Sequence, residues 1–297
     1  MDKLTIALWP VGMAAVPASV ADAADRIEAR LAEAAAAGAG LLMLPEYLGE
    51  QWLAWAPRDL PETEEVAWMG RHGAALLERL CSLPARHGVA LLAGTWPARA
   101  GAGWVNRAHL LLPDGRIVVQ DKLCLTPSEQ NAAAWRLETG SAVRIVEWRG
   151  LRIAMLVCLD IEQPALAALL QAADLDLLLV PSMTRQASGH ARVTGCAKAR
   201  AVELMTTVAA VGCIGSIPVE PPRPNTGGAA VYLPCEAALG HHGIAVERLG
   251  IAACDGEGPL VIARDLPLGT VRELRRGGAE VWPGAWPASH VRLVEER

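Results

Sequence analysis

A chain of 297 residues that is 52% hydrophobic can bury a large core as one domain or two. A formal net charge of −5 supplies no basic footprint, which argues against a nucleic-acid partner, and no apolar run approaches the length of a bilayer span. Seven scattered cysteines, an odd number, argue against a disulfide framework and for a reducing, cytoplasmic setting.

The N-terminus MDKLTIALWP runs straight into a strand, Leu4 to Trp9, with no signal-peptide pattern. Pro17 and Ser19 open a helix whose apolar face is Val20, Ala24, Ile27, Leu31 and Ala35, with Gly38 as its stop. Leu41 to Leu44 is a buried strand, so the chain opens with a β-α-β unit and parallel pairing, the mark of an α/β fold. Gly49 to Pro61 reads as a polar loop carrying Trp52 and Trp55, Glu62 to Leu83 as mostly helix, and Val89 to Gly94 as another short strand. Trp104 to Leu112 and Arg116 to Asp121 pair across the turn Pro113-Asp114-Gly115. Thr126-Pro127 then stops regular structure and leaves a loop to carry Glu129 and Trp135.

Val143 to Trp148 and Leu151 to Val157 form a second hairpin across Arg149-Gly150. A helix from Pro164 to Ala173 and a strand from Leu177 to Val180 follow, and Pro181-Ser182 repeats the earlier theme of an apolar strand ending in proline and a polar residue. Gly189 to Thr206 is an amphipathic helix, Val208 to Ile214 and Gly227 to Leu233 are strands, and Pro218 to Pro224 is too proline-rich to be regular. The last strand, Pro259 to Ala263, leads to a helix from Pro267 to Arg276, after which Gly277-Gly278 frees a tail bearing Trp282 and Trp286.

Three of these strands end in reactive groups. Cys158 stands where Leu151 to Val157 stops, Glu46 follows Leu41 to Leu44 and Pro45, and Lys122 leaves the first hairpin. Each has a bland reading: most free cysteines are small buried hydrophobes, and most lysines after a strand are solvated edge charges. Together they are what nucleophilic catalysis needs. A thiolate attacks, a carboxylate takes its proton, a lysine stabilises the oxyanion, and a nearby lysine also favours the thiolate over the thiol. Glu50, four residues past Glu46, is expected to lie outside such a site.

The order LPEY, WVNRAHLLLPDGRIVVQDKL, CLDIEQP, DLLLVPSM resembles the nitrilase superfamily of carbon–nitrogen hydrolases from Leu4 to at least Val231. The resemblance implies a Glu46–Lys122–Cys158 triad, with Glu129 as a second glutamate orienting the lysine and the Leu159 backbone N–H as an oxyanion donor. It also implies an α/β fold built as a four-layer α-β-β-α sandwich over residues 1–276. The activity implied is hydrolysis of a non-peptide C–N bond in a small amide through a thioester, with no metal or organic cofactor. Tyr47, Trp135, Met183, Arg185 and His190 are the candidate substrate-binding residues, and a homodimer or higher oligomer with the tail 277–297 on the partner is expected. Gln163-Pro164-Ala165 stands where the family commonly has aromatic-Pro-Glu, and Leu159 where an aromatic or hydrophobic residue follows the cysteine. Cys-Leu-Asp rather than Cys-Trp-Glu at the nucleophile favours an amidase over a true nitrilase. An N-carbamoyl-amine hydrolase, with Arg185, His190 and Arg192 serving the acid or amine end, is a second enzymatic reading. A catalytically silent binding scaffold is the reading from another class, and the intact triad argues against it. Cys235, His241, His242 and Cys254 supply zinc-ligand types but no organised spacing.

Overall fold

The computed structural model describes residues 1–295; Glu296 and Arg297, the last two residues of the expected tail, lie outside the described residues. Its strands are β1 (Leu4–Leu8), β2 (Leu41–Met43), β3 (Ala90–Ala100), β4 (Gly103–Leu111), β5 (Ile117–Asp121), β6 (Ile145–Trp148) and β7 (Leu151–Met155). They continue as β8 (Leu177–Ser182), β9 (Thr207–Gly212), β10 (Gly215–Ile217), β11 (Arg223–Asn225), β12 (Gly227–Tyr232), β13 (Ile244–Ile251) and β14 (Val261–Leu266). The helices are α1 (Val20–Ala36), α2 (Glu62–Leu80), α3 (Leu83–His87), α4 (Pro127–Gln130), α5 (Pro164–Leu170), α6 (Ala187–Glu203) and α7 (Leu268–Glu273).

Two six-stranded sheets result, ordered β14-β1-β2-β3-β4-β5 and β13-β12-β9-β8-β7-β6, with β10-β11 as a separate ribbon. Strand alternation explains why they stack. Leu4, Ile6 and Leu8 of β1, with Leu41 and Met43 beside them, join one core with Ile153, Met155 and Leu179 of the second sheet. The alternate residues Ala7, Trp9, Leu42 and Leu44 join a different core with Ile27 and Leu31 of α1 and Met69 and Leu76 of α2. Val193, Ala197 and Ala201 place α6 against the second sheet. The layers therefore run α-β-β-α, as the family resemblance implies. Ser19 caps α1 by accepting from the Asp22 N–H at 3.1 Å, so that helix starts where its cap signal stands.

Several elements differ from expectation. The supposed polar loop begins with a buried 3₁₀ turn, Leu48–Trp55, because Leu48, Trp52 and Leu53 have a core to fill against α2. Thr126-Pro127 does not end regular structure but starts α4. β13 has no buried run to announce it: as an edge strand with Glu247 and Arg248 exposed, it pairs only with β12. The last strand is shifted to Val261–Leu266 and pairs antiparallel with β1. The helix after it ends at Glu273, and Leu274–Gly278 closes as a wider turn. Beyond that turn Trp282 packs with Met205, Leu239 and Leu274 of its own chain and donates from Nε1 to the Glu203 carbonyl at 3.2 Å. Trp286, Val291 and Leu293 remain exposed.

Candidate active site

Three strand ends meet where the two sheets face each other. β2 runs out through Pro45 into Glu46, whose N–H donates to the Ser182 carbonyl at the end of β8 at 3.3 Å. β3 passes so close that a Cβ on Gly94 (φ +78°) would stand 2.2 Å from the Pro45 carbonyl oxygen, which is why glycine is needed there. Tyr47 follows in the left-handed region, φ +50°, its N–H on the Thr95 hydroxyl at 3.0 Å. The chain is thereby turned so that Glu46 points back between the sheets.

The Glu46 carboxylate is buried and fully engaged. Oε1 accepts from Lys122 Nζ at 2.8 Å and Asn106 Nδ2 at 2.8 Å, and Oε2 accepts from the Met183 N–H at 2.9 Å. Lys122, carried past the end of β5, also donates to both oxygens of Glu129 at 2.9 and 2.8 Å. Glu129 is fixed by the Tyr47 hydroxyl at 2.6 Å and by the Thr126 N–H at 2.8 Å, the second half of a capping box that starts α4.

Cys158 comes from the other sheet. β7 ends at Met155, and Cys158 opens a 3₁₀ turn with φ +50°, a strained value for a non-glycine residue. Its thiol lies 3.6 Å from the Met183 carbonyl oxygen. Burial and then the Glu46 carboxylate push the thiol's pKa well up, while Lys122 pulls it down too little to compensate. Lys122 thus favours the thiolate as the sequence suggests, but burial and Glu46 outweigh it, and at rest Cys158 is held toward the neutral thiol. Burial raises Glu46 to about 7, against the pull of Lys122 and with Glu129 adding to the rise. Burial acts to lower Lys122, but Glu46 and Glu129 outweigh it and hold the ammonium charged; the same lysine, working against burial, keeps Glu129 below its ordinary value.

A cavity of about 560 Å³ opens over these groups. Tyr47, Trp135, Met183, Arg185 and Leu159 line it, together with Glu46, Lys122, Cys158 and Glu129. His190 does not: it is buried on α6 away from the cavity lining, its pKa lowered by burial, so its sequence proximity to Arg185 misled. Glu50 is a second correction. It is 1% exposed, lines the cavity, and accepts from Arg185 Nη2 at 3.0 and 3.1 Å.

Sequence reasoning missed four further groups. Asn106 bridges Glu46 and Glu129, the latter at 3.4 Å, and its only signal was an amide inside an apolar strand. Thr126 had a clear signal in T-P-S-E, a capping-box pattern with Pro at the first helical position. Glu65 accepts from Trp135 Nε1 at 2.8 Å and from Arg223 Nη1 at 3.0 Å, bracing the aromatic wall from across the chain. Asp160 ties backbone segments of both sheets and is treated below. Among the described residues no three His, Cys, Asp or Glu side chains come together in a way that could hold a metal ion.

The sequence model of the carbon-nitrogen hydrolase family matches residues 7–276. The chain belongs to that family. The probable hydrolase YhcX of Bacillus subtilis is 25% identical over 259 residues, 85% of this chain and 49% of the relative. Omega-amidase YafV of Escherichia coli K12 is 30% identical over 181 residues, 60% of this chain and 64% of the relative. The chain thus spans about half the length of the first of these relatives and under two thirds of the second. Among solved structures, a Glu-to-Gln mutant of the amidase from Nesterenkonia sp. AN1 is similar at a TM-score of 0.66 and 26% identity, covering 93% of this chain and 94% of that one. It carries the acetamide moiety of fluoroacetamide covalently added at its active-site cysteine. A CN-hydrolase superfamily protein from Xanthomonas campestris with an arsenic adduct in its active site is similar at 0.67 and 25% identity over 94% of this chain and 96% of that one.

Proposed function

We propose that this protein is a cysteine-dependent amidase that cleaves the non-peptide C–N bond of a small amide through a thioester. One observation carries the reading: a carboxylate with its pKa near 7 faces a neutral, buried thiol, with an ammonium between it and a second carboxylate. A base poised near the working pH is the efficient one. Glu46 takes the Cys158 proton as sulfur adds to the amide carbon. Lys122 and the Leu159 N–H receive the oxyanion, donors of a kind worth about 2.7–4 kcal/mol each in comparable sites. Glu46 then protonates the leaving nitrogen, ammonia or amine departs, and the thioester remains. A water loses its proton to Glu46 and attacks; the thiol recovers that proton as the carboxylic acid leaves, ionising to the carboxylate. Asn106 and Glu129 hold Lys122 and Glu46 in register throughout, and no cofactor enters the cycle.

The substrate we favour is an omega-amide, the class named for YafV. Arg185 supports it: among the described residues only its Nη2 is held, by buried Glu50, and the side chain is 42% exposed, so the remaining N–H groups can meet a distal carboxylate. Tyr47, Trp135 and Met183 would enclose the carbon chain between that carboxylate and the sulfur. We also infer a cytoplasmic enzyme and a homo-oligomer in which the tail beyond Trp282, with Trp286, Val291 and Leu293 uncovered, packs on a second copy. Among the described residues no helix is long and apolar enough to cross a membrane.

Ammonia release from a panel of simple amides, omega-amides of dicarboxylic acids, nitriles and N-carbamoyl compounds tests the reading. Omega-amides should be turned over fastest, and Arg185→Met should lower kcat/KM for them more than for butyramide. Release from nitriles or carbamoyl compounds alone would overturn it.

A further inference from the structure

Asp160 is fully buried two residues past Cys158, and its carboxylate meets backbone N–H groups from both halves of the molecule. Oδ2 accepts from the Val157 N–H at 3.0 Å, and the Asp160 N–H returns a bond to the Val157 carbonyl at 3.0 Å, so the turn holding the nucleophile is closed from both sides. Oδ1 accepts from Cys124 N–H at 2.7 Å and Leu123 N–H at 3.1 Å, the two residues that follow Lys122. One side chain therefore joins the Cys158 turn of the second sheet to the Lys122 segment of the first.

The cost of this arrangement is visible in a second buried aspartate. Asp176, at the opposite end of β8 from Met183, is met by Arg272 at 2.7 Å and Arg275 at 3.0 Å. Burial there is outweighed by its partners, and its pKa is lowered. Among the described residues Asp160 has no ion-pair partner, and burial leaves its pKa raised to about 6 despite its three N–H donors and the more distant Lys122. A raised carboxylate contributes stability only below its unfolded pKa and loses it as pH rises through the folded value, so at neutral pH ionised Asp160 works against folding. A neutral Asn or Ser could serve as an ordinary cap at less cost. What it could not do is accept three N–H groups from two sheets at once.

We propose that Asp160 is a positioning residue for catalysis: it sets the Cys158 thiol and the Leu159 N–H against Lys122 by clamping both carrying segments to one carboxylate. The clamp acts on geometry and takes no proton from substrate. It presupposes the amidase chemistry above, and its test has one readout that does not. In Asp160→Asn one of the two oxygens becomes NH₂ and can no longer accept, so either the Cys158 turn or the Lys122 segment loses its tie while the residue keeps its size.

Three quantities are measured on the full-length wild type and variant: kcat and KM for the best amide, the rate of Cys158 alkylation by iodoacetamide, and the melting temperature at pH 7.5. Misplacing reacting groups by about 1 Å costs roughly a hundred-fold. The expectation is a fall of about that size in kcat, KM within about three-fold, a changed alkylation rate, and a melting temperature within about 4 °C of wild type. Should kcat and alkylation stay at wild-type values, the clamp is wrong while the amidase reading stands. Should the variant melt far below wild type or fail to fold, Asp160 is a structural cap and the proposal is overturned. Should wild type release no ammonia from any amide, the amidase reading fails, and an unchanged alkylation rate would separately defeat the clamp.

Discussion

The two six-stranded sheets repeat the same order of strand directions. Reading β14-β1-β2-β3-β4-β5 beside β6-β7-β8-β9-β12-β13, each has a central parallel trio flanked by antiparallel strands. Equivalent ends even share a bond: Thr95 N–H reaches the Pro45 carbonyl at 3.3 Å in one sheet, and Cys213 N–H reaches the Ser182 carbonyl at 3.4 Å in the other. The side chains presented there are not equivalent. The first sheet delivers Glu46, Lys122 and Asn106; the second delivers Cys158 and the peptide group of Met183. A repeated architecture thus carries the proposed acid–base groups in one half and the proposed nucleophile in the other. Bringing Glu46 to Cys158 needs both halves, and Leu4, Ile6 and Met43 of one sheet pack with Ile153 and Leu179 of the other to hold them together.

The sharpest way to break this division is at Glu46. Glu46→Gln removes the carboxylate that faces the thiol, and amide turnover should fall on the order of a hundred- to ten-thousand-fold. In the wild type, kcat/KM should rise with pH through an ionisation near 7, since the form that works is ionised Glu46, and it should fall on the acid side. That limb should be absent from the variant's residual rate. Circular dichroism checks that the variant folds.

A smaller effect is expected at Asn106, which belongs to the first sheet and touches only the acid–base side. Asn106→Leu takes the 2.8 Å hydrogen bond from Glu46 and the longer one from Glu129; the shorter, to an ionised carboxylate, is worth about 1.5–3 kcal/mol, which is roughly ten- to a hundred-fold if all of it appears in the rate. Stopped assays of kcat with KM measured in parallel would test it; a loss confined to KM would move Asn106 from the acid–base network to substrate binding.

The smallest catalytic effect should come from Asp176→Asn, at the far end of a second-sheet strand. Its pKa is lowered, so its stabilisation is present above the unfolded value of 3.8 and is lost as pH falls through the folded one. Thermal melts at pH 7 should show a clear drop, while kcat per folded molecule stays within about two-fold, the scatter of a distant, uncoupled change. A large fall in kcat with unchanged melting would show that the two ends of β8 are not independent.

The convergence of Glu46, Lys122 and Cys158 was legible because Glu46 and Cys158 stand just past apolar runs and Lys122 just past a hairpin strand, a pattern that strand ends impose. The layers were legible from the family resemblance. Other parts were hidden by long-range contacts that no local pattern encodes. Glu50 looks like a solvated charge until Arg185, far along the chain, covers it. Asn106 is one amide among apolar neighbours, and its partners Glu46 and Glu129 lie on different segments. His190 misled by nearness in sequence, since α6 turns it away from the cavity. β13 was missed because an edge strand need not bury either face continuously. Lys122 does favour the thiolate, as charge alone suggests, but burial and Glu46 outweigh it.

In the proposed reaction Cys158, supplied by one sheet, forms a thioester that Glu46, supplied by the other, resolves. Rapid acid quench of Glu46→Gln and wild type during turnover of a good amide, followed by peptide mapping by mass spectrometry, observes this directly. The expected result is an acyl group, the amide less its ammonia, on the peptide containing Cys158, persisting longer in the variant once formed. An acyl group on Cys124 or Cys213 instead, or turnover in Glu46→Gln at the wild-type rate, would contradict the account.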